Sequence, residues 1–261
     1  MNNVNKTLYI PLYGKAYVSK KNMILHDKKA EEIWGQTKFS LKGKSKSKWL
    51  AYYMAMRAAI YDEWTDQEIK NHPEAVVLHI GCGMDSRCER VLAMPEKWYD
   101  IDFPEVIKER QKYYRESENY CMVPADMRTA EWKKFVKPGQ EAVIILEGVS
   151  MYFQPEELKD LLAGFSEYFH SVKILMDCYT ERAAKASKYK NPVNDVGVTI
   201  VYGYDDPQEV ARNAGLLFKK EYDMTPQKYI EELQGMEKKI FKKLYAGKIA
   251  KSLYRMYEFI K

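Results

Sequence analysis

A short apolar run that ends in a glycine turn constrains this chain more than any other feature. Residues 75–87 are AVVLHIGCGMDSR, so an apolar strand over Val76–Ile80 is followed directly by Gly81 and Gly83. Glycine lets the backbone turn sharply and approach a ligand closely, and the free N–H groups of a following helix attract anions. The pattern predicts an α/β sheet with a nucleotide-type site at the end of this strand. A plain tight turn between a strand and a helix is the alternative at this point.

Strands and helices alternate along the middle of the chain. The predicted strands cover Val76–Ile80, Lys97–Ile101, Tyr120–Pro124, Ala142–Glu147 and Val172–Asp177. The predicted helices between them cover Met84–Leu92, Pro104–Arg115, Thr129–Val136 and Pro155–Phe169. Such alternation predicts a doubly wound, mainly parallel sheet with right-handed crossovers. Ligands of these sheets bind beyond the carboxyl ends of the strands.

The segments before and after the first strands have a different character. Trp49–Trp64 has apolar residues at helical spacing and predicts an amphipathic helix, although Arg57 lies among its apolar positions. Residues 41–48, LKGKSKSK, predict a solvated loop. Arg182–Val198 is polar and irregular in pattern, which predicts an insertion or lid.

The last third of the chain combines predicted helices with many lysines. Pro207–Ala214 predicts a helix and Leu216–Tyr222 a strand. Residues 226–261 predict an amphipathic helix packed against the body and a closing strand near Tyr254–Ile260. Binding of this basic segment to a membrane surface is the alternative.

Composition and charge exclude several classes of protein. Hydrophobic residues make up 46% and charged residues 30% of the 261 positions, which excludes wholesale disorder. The 42 basic and 37 acidic residues are too balanced to indicate nucleic acid as a partner. The four cysteines and four histidines do not cluster, so neither a metal site nor a disulfide framework is predicted. Without a signal sequence or a membrane span, we expect a cytoplasmic protein with no membrane partner.

Acidic side chains follow the next three strands, where they would surround one crevice. Asp100 and Asp102 close the second strand, Asp126 follows the third and Glu147 the fourth. An acid about 20 residues beyond the glycine turn can bind the ribose hydroxyls of NAD or of S-adenosylmethionine. Additional acids suit a sulfonium and an ammonium group better than a pyrophosphate. Ser86 stands where a dinucleotide fingerprint has its third glycine, which disfavours NAD.

Four segments resemble the motifs of the leucine carboxyl methyltransferase family, which includes the tetracenomycin-type polyketide O-methyltransferases. These segments are IGCGMDSR (80–87), WYDIDFP (98–104), ADMR (125–128) and EGVSMY (147–152). They occur in the family's order over roughly Gly14 to Tyr179. The resemblance implies a class I S-adenosylmethionine-dependent methyltransferase fold, with a Rossmann-like, seven-stranded, mostly parallel sheet and an antiparallel last strand.

The resemblance also implies a division of this single domain. An N-terminal helical cap would cover residues 1–71 and a cofactor-binding core residues 72–179. A lid insertion would follow at 180–204, and residues 205–261 would form C-terminal helices and the last strands.

Individual residues receive roles from the same resemblance. Gly81 would line the methionine end of S-adenosylmethionine, Asp102 would bind its ribose and Asp126 its adenine. Glu147 would meet its amino group and Arg57 its carboxylate. The implied cofactor-binding residues are Lys21, Arg57, Gly81, Gly83, Asp102, Asp126, Met127 and Glu147.

We therefore predict an S-adenosylmethionine-dependent O-methyltransferase whose partner is a small-molecule acceptor. The resemblance places Arg128 and Tyr152 on the acceptor side as catalytic groups. Arg128 could orient a carboxylate through a forked hydrogen-bond pair, which favours a carboxylate over a hydroxyl acceptor. A hydroxyl would need a general base, and we expect His79 to be packed in the core.

Two alternatives stay open from the sequence. One is an NAD-dependent oxidoreductase, which Ser86 and the lack of a convincing catalytic histidine or Tyr-x-x-x-Lys pair disfavour. The other is a protein without catalysis, either a cofactor sensor or an RNA-binding module that uses the lysine-rich loop and tail.

Overall fold

Seven strands of the described part of the chain form one mixed sheet. The computed structural model describes residues 3–261, except for the side chains of Asn3 and of residues 188–190. The strands are β1 (Val76–Ile80), β2 (Lys97–Asp102), β3 (Tyr120–Pro124), β4 (Glu141–Leu146), β5 (Ser171–Tyr179), β6 (Leu217–Tyr222) and β7 (Tyr254–Ile260). Their spatial order is β3-β2-β1-β4-β5-β7-β6. β1 to β5 are parallel, whereas β7 lies between β5 and β6 and is antiparallel to both, which confirms the expected sheet.

Helices cover both faces of the sheet. The α-helices are α1 (Asn3–Lys6), α2 (Tyr9–Ser19), α3 (Lys28–Gln36), α4 (Lys48–Asn71), α5 (Arg87–Arg90), α6 (Pro104–Arg110), α7 (Pro155–Tyr168), α8 (Glu181–Lys190), α9 (Pro207–Asn213), α10 (Gln227–Glu232), α11 (Gly235–Tyr245) and α12 (Lys248–Lys251). Short 3₁₀ segments lie at Gly43–Lys46, Glu131–Lys134, Ser150–Tyr152 and Pro192–Val196. Residues 1–2 of the predicted cap lie outside the described residues.

Alternate residues of the central strands pack against opposite helical layers. In β4, Val143 and Ile145 belong to the core cluster that contains residues of α4. Ala142, Ile144 and Leu146 belong to the cluster that contains residues of α7 and α9. A parallel strand that is buried on both faces is nearly continuously apolar, which makes β1 and β4 recognisable from the sequence.

Two predicted helices around the glycine turn and β2 are shorter than expected. α5 covers Arg87–Arg90 instead of Met84–Leu92. It ends early because the backbone N–H groups of Leu92 and Ala93 donate to Asp66 on α4. α6 ends at Arg110 rather than at Arg115. Thr129–Val136, predicted as a helix, contains only the 3₁₀ turn Glu131–Lys134.

The two segments that the sequence assigned to an insertion or lid and to a solvated loop contain short helical elements. Residues 182–198 contain most of α8, which begins after Thr180, whose side chain accepts a hydrogen bond from the Ala183 N–H. In the lysine-rich segment 41–48, the 3₁₀ turn buries Ser45, whose N–H donates to Asp195 Oδ2 at 2.8 Å. The first segment has a local helix cap, and the second contacts a residue distant in sequence. Composition alone does not predict such contacts.

The C-terminal segment follows the prediction more closely. It forms α10, α11 and α12 against the body and closes with β7 over Tyr254–Ile260. Among the described residues, no helix is both long enough and apolar enough to cross a bilayer.

Candidate active site

A cavity of about 310 Å³ lies over the carboxyl ends of β1 to β5. The elements that wall it are the glycine turn after β1, the loops after β2, β3 and β4, the start of α2 and the middle of α4. The predicted site residues that line it are Arg57, Gly81, Gly83, Asp102, Asp126, Met127, Arg128, Glu147 and Tyr152. The fold therefore brings together side chains that span almost one hundred residues of sequence.

Lys21 is the exception among the predicted residues. It lies beyond the end of α2, with its Nζ 4.6 Å from the centre of the Tyr17 ring and 3.4 Å from the Tyr52 hydroxyl, outside the cavity. Lys15, more than one helical turn earlier, lines the cavity and is 2% exposed. The structure thus places Lys15 at the cavity and Lys21 outside it, because the orientation of α2 decides which lysine faces inward.

The glycine turn is required by close packing as well as by backbone conformation. Gly81 has φ +64° and Gly83 φ +53°, a left-handed conformation that other residues avoid. A Cβ on Gly81 would lie 2.6 Å from Cγ2 of Val149, and one on Gly83 would lie 3.2 Å from Cβ of Leu8. The loop after β1 is therefore pressed between the loop after β4 and the N-terminal segment.

Asp102 ends β2 with its carboxylate held by the glycine turn. The Gly83 N–H donates to Oδ2 at 2.8 Å and the Phe103 N–H to Oδ1 at 2.7 Å. Burial raises the pKa of Asp102 to about 6, although both N–H groups oppose the shift. A carboxylate in this position can accept further hydrogen bonds from a ribose, as expected.

Asp100, the neighbouring acid, has a structural role instead. It is buried within β2, where it accepts hydrogen bonds from Arg110 and Tyr120 and contacts His79 Nδ1 at 3.0 Å. Burial opposes its ionisation, but Arg110 outweighs this and holds the pKa of Asp100 at about 2. It does not line the cavity, so the expectation that both acids of β2 face the crevice was wrong for Asp100.

His79 is a core residue, as predicted. Its Nδ1 contacts Asp100 and its Nε2 lies 3.2 Å from Nη1 of Arg87. Burial and the Arg87 charge lower the pKa of His79. With both ring nitrogens engaged, it cannot serve as a base for an acceptor.

Glu147 and Arg57 form the charged wall at the end of β4. Nε and Nη2 of Arg57 both lie 3.0 Å from Glu147 Oε1, and Arg87 donates to the other carboxylate oxygen. Burial alone would raise the pKa of Glu147, but the two guanidinium groups lower it to about 2. Nη1 of Arg57 also contacts Asp177 Oδ2 at 3.3 Å and donates to the Tyr254 hydroxyl at 2.9 Å. The unusual charge on the apolar face of α4 is thus matched by polar partners from β4, β5 and β7.

A second set of ion pairs supports this wall from the glycine loop. Lys15 lies 2.6 Å from Asp85 Oδ2, and Arg90 contacts Asp85, Asp27 and Asp62 at 2.6–2.8 Å. Sequence reasoning missed these residues, because they come from four separate segments. The only signal was a run of charges after the glycine turn that a surface helix would also show.

Arg128 lines the cavity, where it is paired with the acid two residues before it. Its Nε and Nη2 form a fork on Asp126, at 2.9 Å to Oδ1 and 2.6 Å to Oδ2, and its guanidinium lies 5.7 Å from the Phe103 ring centre. Burial acts against ionisation of Asp126, but the hydrogen bonds from Arg128 lower its pKa. The fork therefore holds the guanidinium at the β3 end of the cavity.

The β4 end of the cavity, formed by Leu50, Met54, Met151, Tyr152, Tyr179 and Tyr254, is largely apolar and aromatic. Burial raises the pKa of Tyr152 to about 12, although a hydrogen bond with Thr7 opposes the shift. Burial also raises the pKa of Tyr179. Both phenols are protonated at neutral pH and can donate hydrogen bonds to an anionic acceptor.

The residues present fit S-adenosylmethionine. The glycine turn lines the cavity, Asp102 is a half-buried carboxylate with spare acceptor capacity, and Glu147 lies at the opposite end of the crevice. Met127 and Asp126 follow β3 where an adenine would lie. The sheet order, the antiparallel β7 and this arrangement define a class I S-adenosylmethionine-dependent methyltransferase.

Comparison with known proteins specifies the family. The chain belongs to the leucine carboxyl methyltransferase family, which matches residues 9–166. The tetracenomycin polyketide synthesis O-methyltransferase TcmP of Streptomyces glaucescens is 26% identical over 242 residues, which cover 91% of this chain and 89% of that protein. An S-adenosyl-L-methionine-dependent methyltransferase, dpfgK of Gibberella zeae, is 24% identical over 84% of this chain and 82% of its own.

Solved structures agree on the fold. Magnesium protoporphyrin IX methyltransferase from Synechocystis PCC 6803, with bound S-adenosylhomocysteine, superimposes with a TM-score of 0.52 at 10% identity. The match covers 90% of this chain and 93% of that one. The family match and the two curated relatives show that this protein is an S-adenosylmethionine-dependent methyltransferase, with S-adenosylmethionine as its cofactor. The family membership favours this class over the NAD-dependent oxidoreductase that the glycine turn alone left open.

Proposed function

We propose that this enzyme methylates an oxygen of a small molecule, and that this oxygen belongs to a carboxylate in preference to a hydroxyl group. The similarity to an O-methyltransferase of polyketide synthesis supports an oxygen acceptor. The observation that carries the carboxylate preference is the chemistry of the β4 end of the cavity. The ionisable side chains that line this end are phenols, which keep their protons near neutral pH, and the Glu147–Arg57 pair.

The ionisable groups around the cavity are engaged or protonated. His79 is held by Asp100 and Arg87, Glu147 is held by two guanidinium groups, and Tyr152 keeps its proton up to about pH 12. A hydroxyl acceptor would have to lose its proton without help, whereas a carboxylate is already anionic. The two phenols of Tyr152 and Tyr179 would donate hydrogen bonds to it.

The cofactor supplies an electrophilic methyl group on a sulfonium, and the protein's task is to orient the acceptor and exclude water. We assign Asp102 to the ribose, Asp126 and Met127 to the adenine, and Glu147 to the ammonium. Arg57 and Lys15 would meet the carboxylate of the cofactor, Lys15 in place of Lys21. Holding the acceptor oxygen in line with the methyl group can lower the barrier by about 7–11 kcal/mol.

Arg128 is assigned to the adenine end rather than to the acceptor. Its fork on Asp126 positions the carboxylate that would accept the adenine amino group. Arg128→Ala is then expected to weaken S-adenosylhomocysteine binding severalfold and to leave the preference between acceptors unchanged. Loss of transfer to acids at unchanged cofactor affinity would instead restore the acceptor role expected from the sequence.

The acceptor class can be tested with matched aromatic pairs, such as 2-naphthoic acid and 2-naphthol, and S-adenosylmethionine labelled in the methyl group. Treatment with alkali releases labelled methanol from a methyl ester but not from an ether. Methanol release from the acid, and little product from the naphthol at pH 7, would support the proposal. Alkali-stable product from the naphthol as the main outcome would contradict it.

Tyr152→Phe is the matched variant, because it removes only the hydroxyl. We expect it to lower kcat/KM for the acid about tenfold, the order of one lost hydrogen bond to a charged group. The affinity for S-adenosylhomocysteine should stay unchanged. An unchanged kcat/KM would remove Tyr152 from the acceptor side.

A further inference from the structure

Helix α11 exposes a row of apolar side chains that its own packing does not use. Met236, Ile240 and Leu244 are spaced four residues apart and are 68%, 37% and 54% exposed. Ile249 on the adjacent α12 is 79% exposed. A monomeric protein rarely displays such a row, which marks a candidate interaction surface.

The opposite side of α11 holds the helix to the body. Phe241 is fully buried, and its ring centre lies 6.2 Å from that of Tyr52 on α4. Tyr245 contacts the ring of Tyr53 at 5.5 Å. Glu237 is 2.6 Å from both Lys48 Nζ and the Tyr52 hydroxyl. These contacts fix the orientation of α11 and leave the apolar row exposed on its other side.

Lysines surround this row. They are Lys238, Lys239, Lys242, Lys243 and Lys248. None of the five lies within 4 Å of a carboxylate of the described residues. The one acid of α11, Glu237, is already engaged by Lys48. The surface combines apolar side chains with a concentration of positive charge that nothing in the described part of the chain neutralises.

This surface lies beside the wall of the active-site cavity. Tyr53, which α11 contacts through Tyr245, lies 6.4 Å from Tyr254, and Tyr254 lines the cavity. Leu50 and Met54, on the same segment of α4, line it as well. A partner bound to α11 would therefore be close to the end of the cavity where the acceptor is expected.

We propose that α11 and α12 form a docking surface for an anionic lipid bilayer. An interfacial helix needs apolar side chains that insert among the acyl chains and lysines that attract anionic headgroups, and this surface has both. Nucleic acid would use the lysines and leave the apolar row without a function. The proposal departs from the expectation that no membrane is among the partners, and it does not depend on the identity of the acceptor.

Sedimentation with vesicles tests the proposal on the full chain. The vesicles contain either phosphatidylcholine alone or phosphatidylcholine with 30 mole per cent (about one lipid in three) phosphatidylglycerol, a content that gives the strongly negative surface such lysines need. We expect binding to the anionic vesicles only. The double substitution Lys239→Glu/Lys243→Glu should weaken it at least twentyfold, because each lysine near such a surface contributes about fivefold.

The apolar row has its own variant, Ile240→Ser/Leu244→Ser, which should also weaken binding at least tenfold. Matched controls are Leu92→Ser and Lys108→Glu, exposed positions elsewhere on the surface, which should bind as the unaltered chain does. Circular dichroism and S-adenosylhomocysteine affinity confirm that each variant is folded.

Three outcomes would overturn the proposal. The first is no binding to anionic vesicles, and the second is equal binding to both kinds of vesicle. The third is full binding by the serine variant, especially if the unaltered chain binds a single-stranded RNA oligonucleotide equally well. That result would make the surface a purely electrostatic site for polyanions.

Discussion

Replacement of Gly81 by alanine tests why the turn after β1 needs a glycine. The substitution places a non-glycine residue at φ +64°, which costs about 1–2 kcal/mol. It also places a Cβ 2.6 Å from Cγ2 of Val149, and relief of such overpacking costs about 1–3 kcal/mol. We expect Gly81→Ala to destabilise the protein by about 3 kcal/mol in total.

Val149→Ala removes the methyl group that the new Cβ would meet. By itself this truncation of a half-buried side chain should cost about 1 kcal/mol. In the double variant the steric cost disappears while the cost of the left-handed backbone remains. The two substitutions should therefore be coupled favourably by about 1–3 kcal/mol.

Urea unfolding, followed by circular dichroism, gives the free energy of unfolding of four proteins. They are the unaltered chain, Gly81→Ala, Val149→Ala and the double variant. Gly139→Ala is the matched control, because Gly139 has φ +77° and a Cβ there would meet no neighbouring atom within 4 Å, so that only the backbone cost applies. If the destabilisation of the double variant equals the sum of the two single destabilisations, the steric reasoning is refuted. A Gly81→Ala variant that is no less stable than Gly139→Ala would refute it as well.

Three further predictions concern the charged groups of the site. Because burial raises the pKa of Asp102 to about 6, the affinity for S-adenosylhomocysteine should fall as the pH decreases through 6. For Asp102→Asn, calorimetry should show a weak affinity that does not change with pH. Glu147→Gln should destabilise by about 3–5 kcal/mol at pH 7 because it removes the buried carboxylate that both Arg57 and Arg87 contact. The lowered pKa of Glu147 means that this stability is present above its usual value of 4.5 and is lost as the pH falls toward 2, so urea unfolding at pH 3 should show a smaller difference; a constant difference would contradict this. Lys15→Met should weaken cofactor binding at least tenfold, whereas Lys21→Met should not change it, and the reverse result would restore the sequence-based choice.

Local patterns were sufficient for the strands and the glycine turn. β1 and β3 have the predicted bounds, and β4 differs by one residue at each end. A strand that is buried on both faces is apolar along most of its length, so its sequence signal is strong. The helix after the turn was predicted too long, because its end is determined by hydrogen bonds to Asp66, which lies on another helix.

The sequence did not indicate in which direction the side chains of the site point. Lys15 and Lys21 are equally plausible by type and neighbourhood, and only the packing of α2 on α4 turns one of them inward. Arg128 was expected on the acceptor side, but its guanidinium donates a hydrogen bond to Asp126, two residues earlier. Both differences arise from orientations that depend on contacts and not on residue identity.

By itself, the sequence determined the α/β class, the cofactor-binding edge of the sheet and nine of the residues that line the cavity. The class and the edge follow from hydrophobic periodicity and from the topological rule that parallel strands end at one edge. Several of the individual residues follow only from the family resemblance of the motifs. Tertiary structure alone decided the partners of Arg57 and Glu147, the engagement of both ring nitrogens of His79 and the exposed row on α11. Each of these depends on distances between segments far apart in the chain, and a linear pattern carries no such distances.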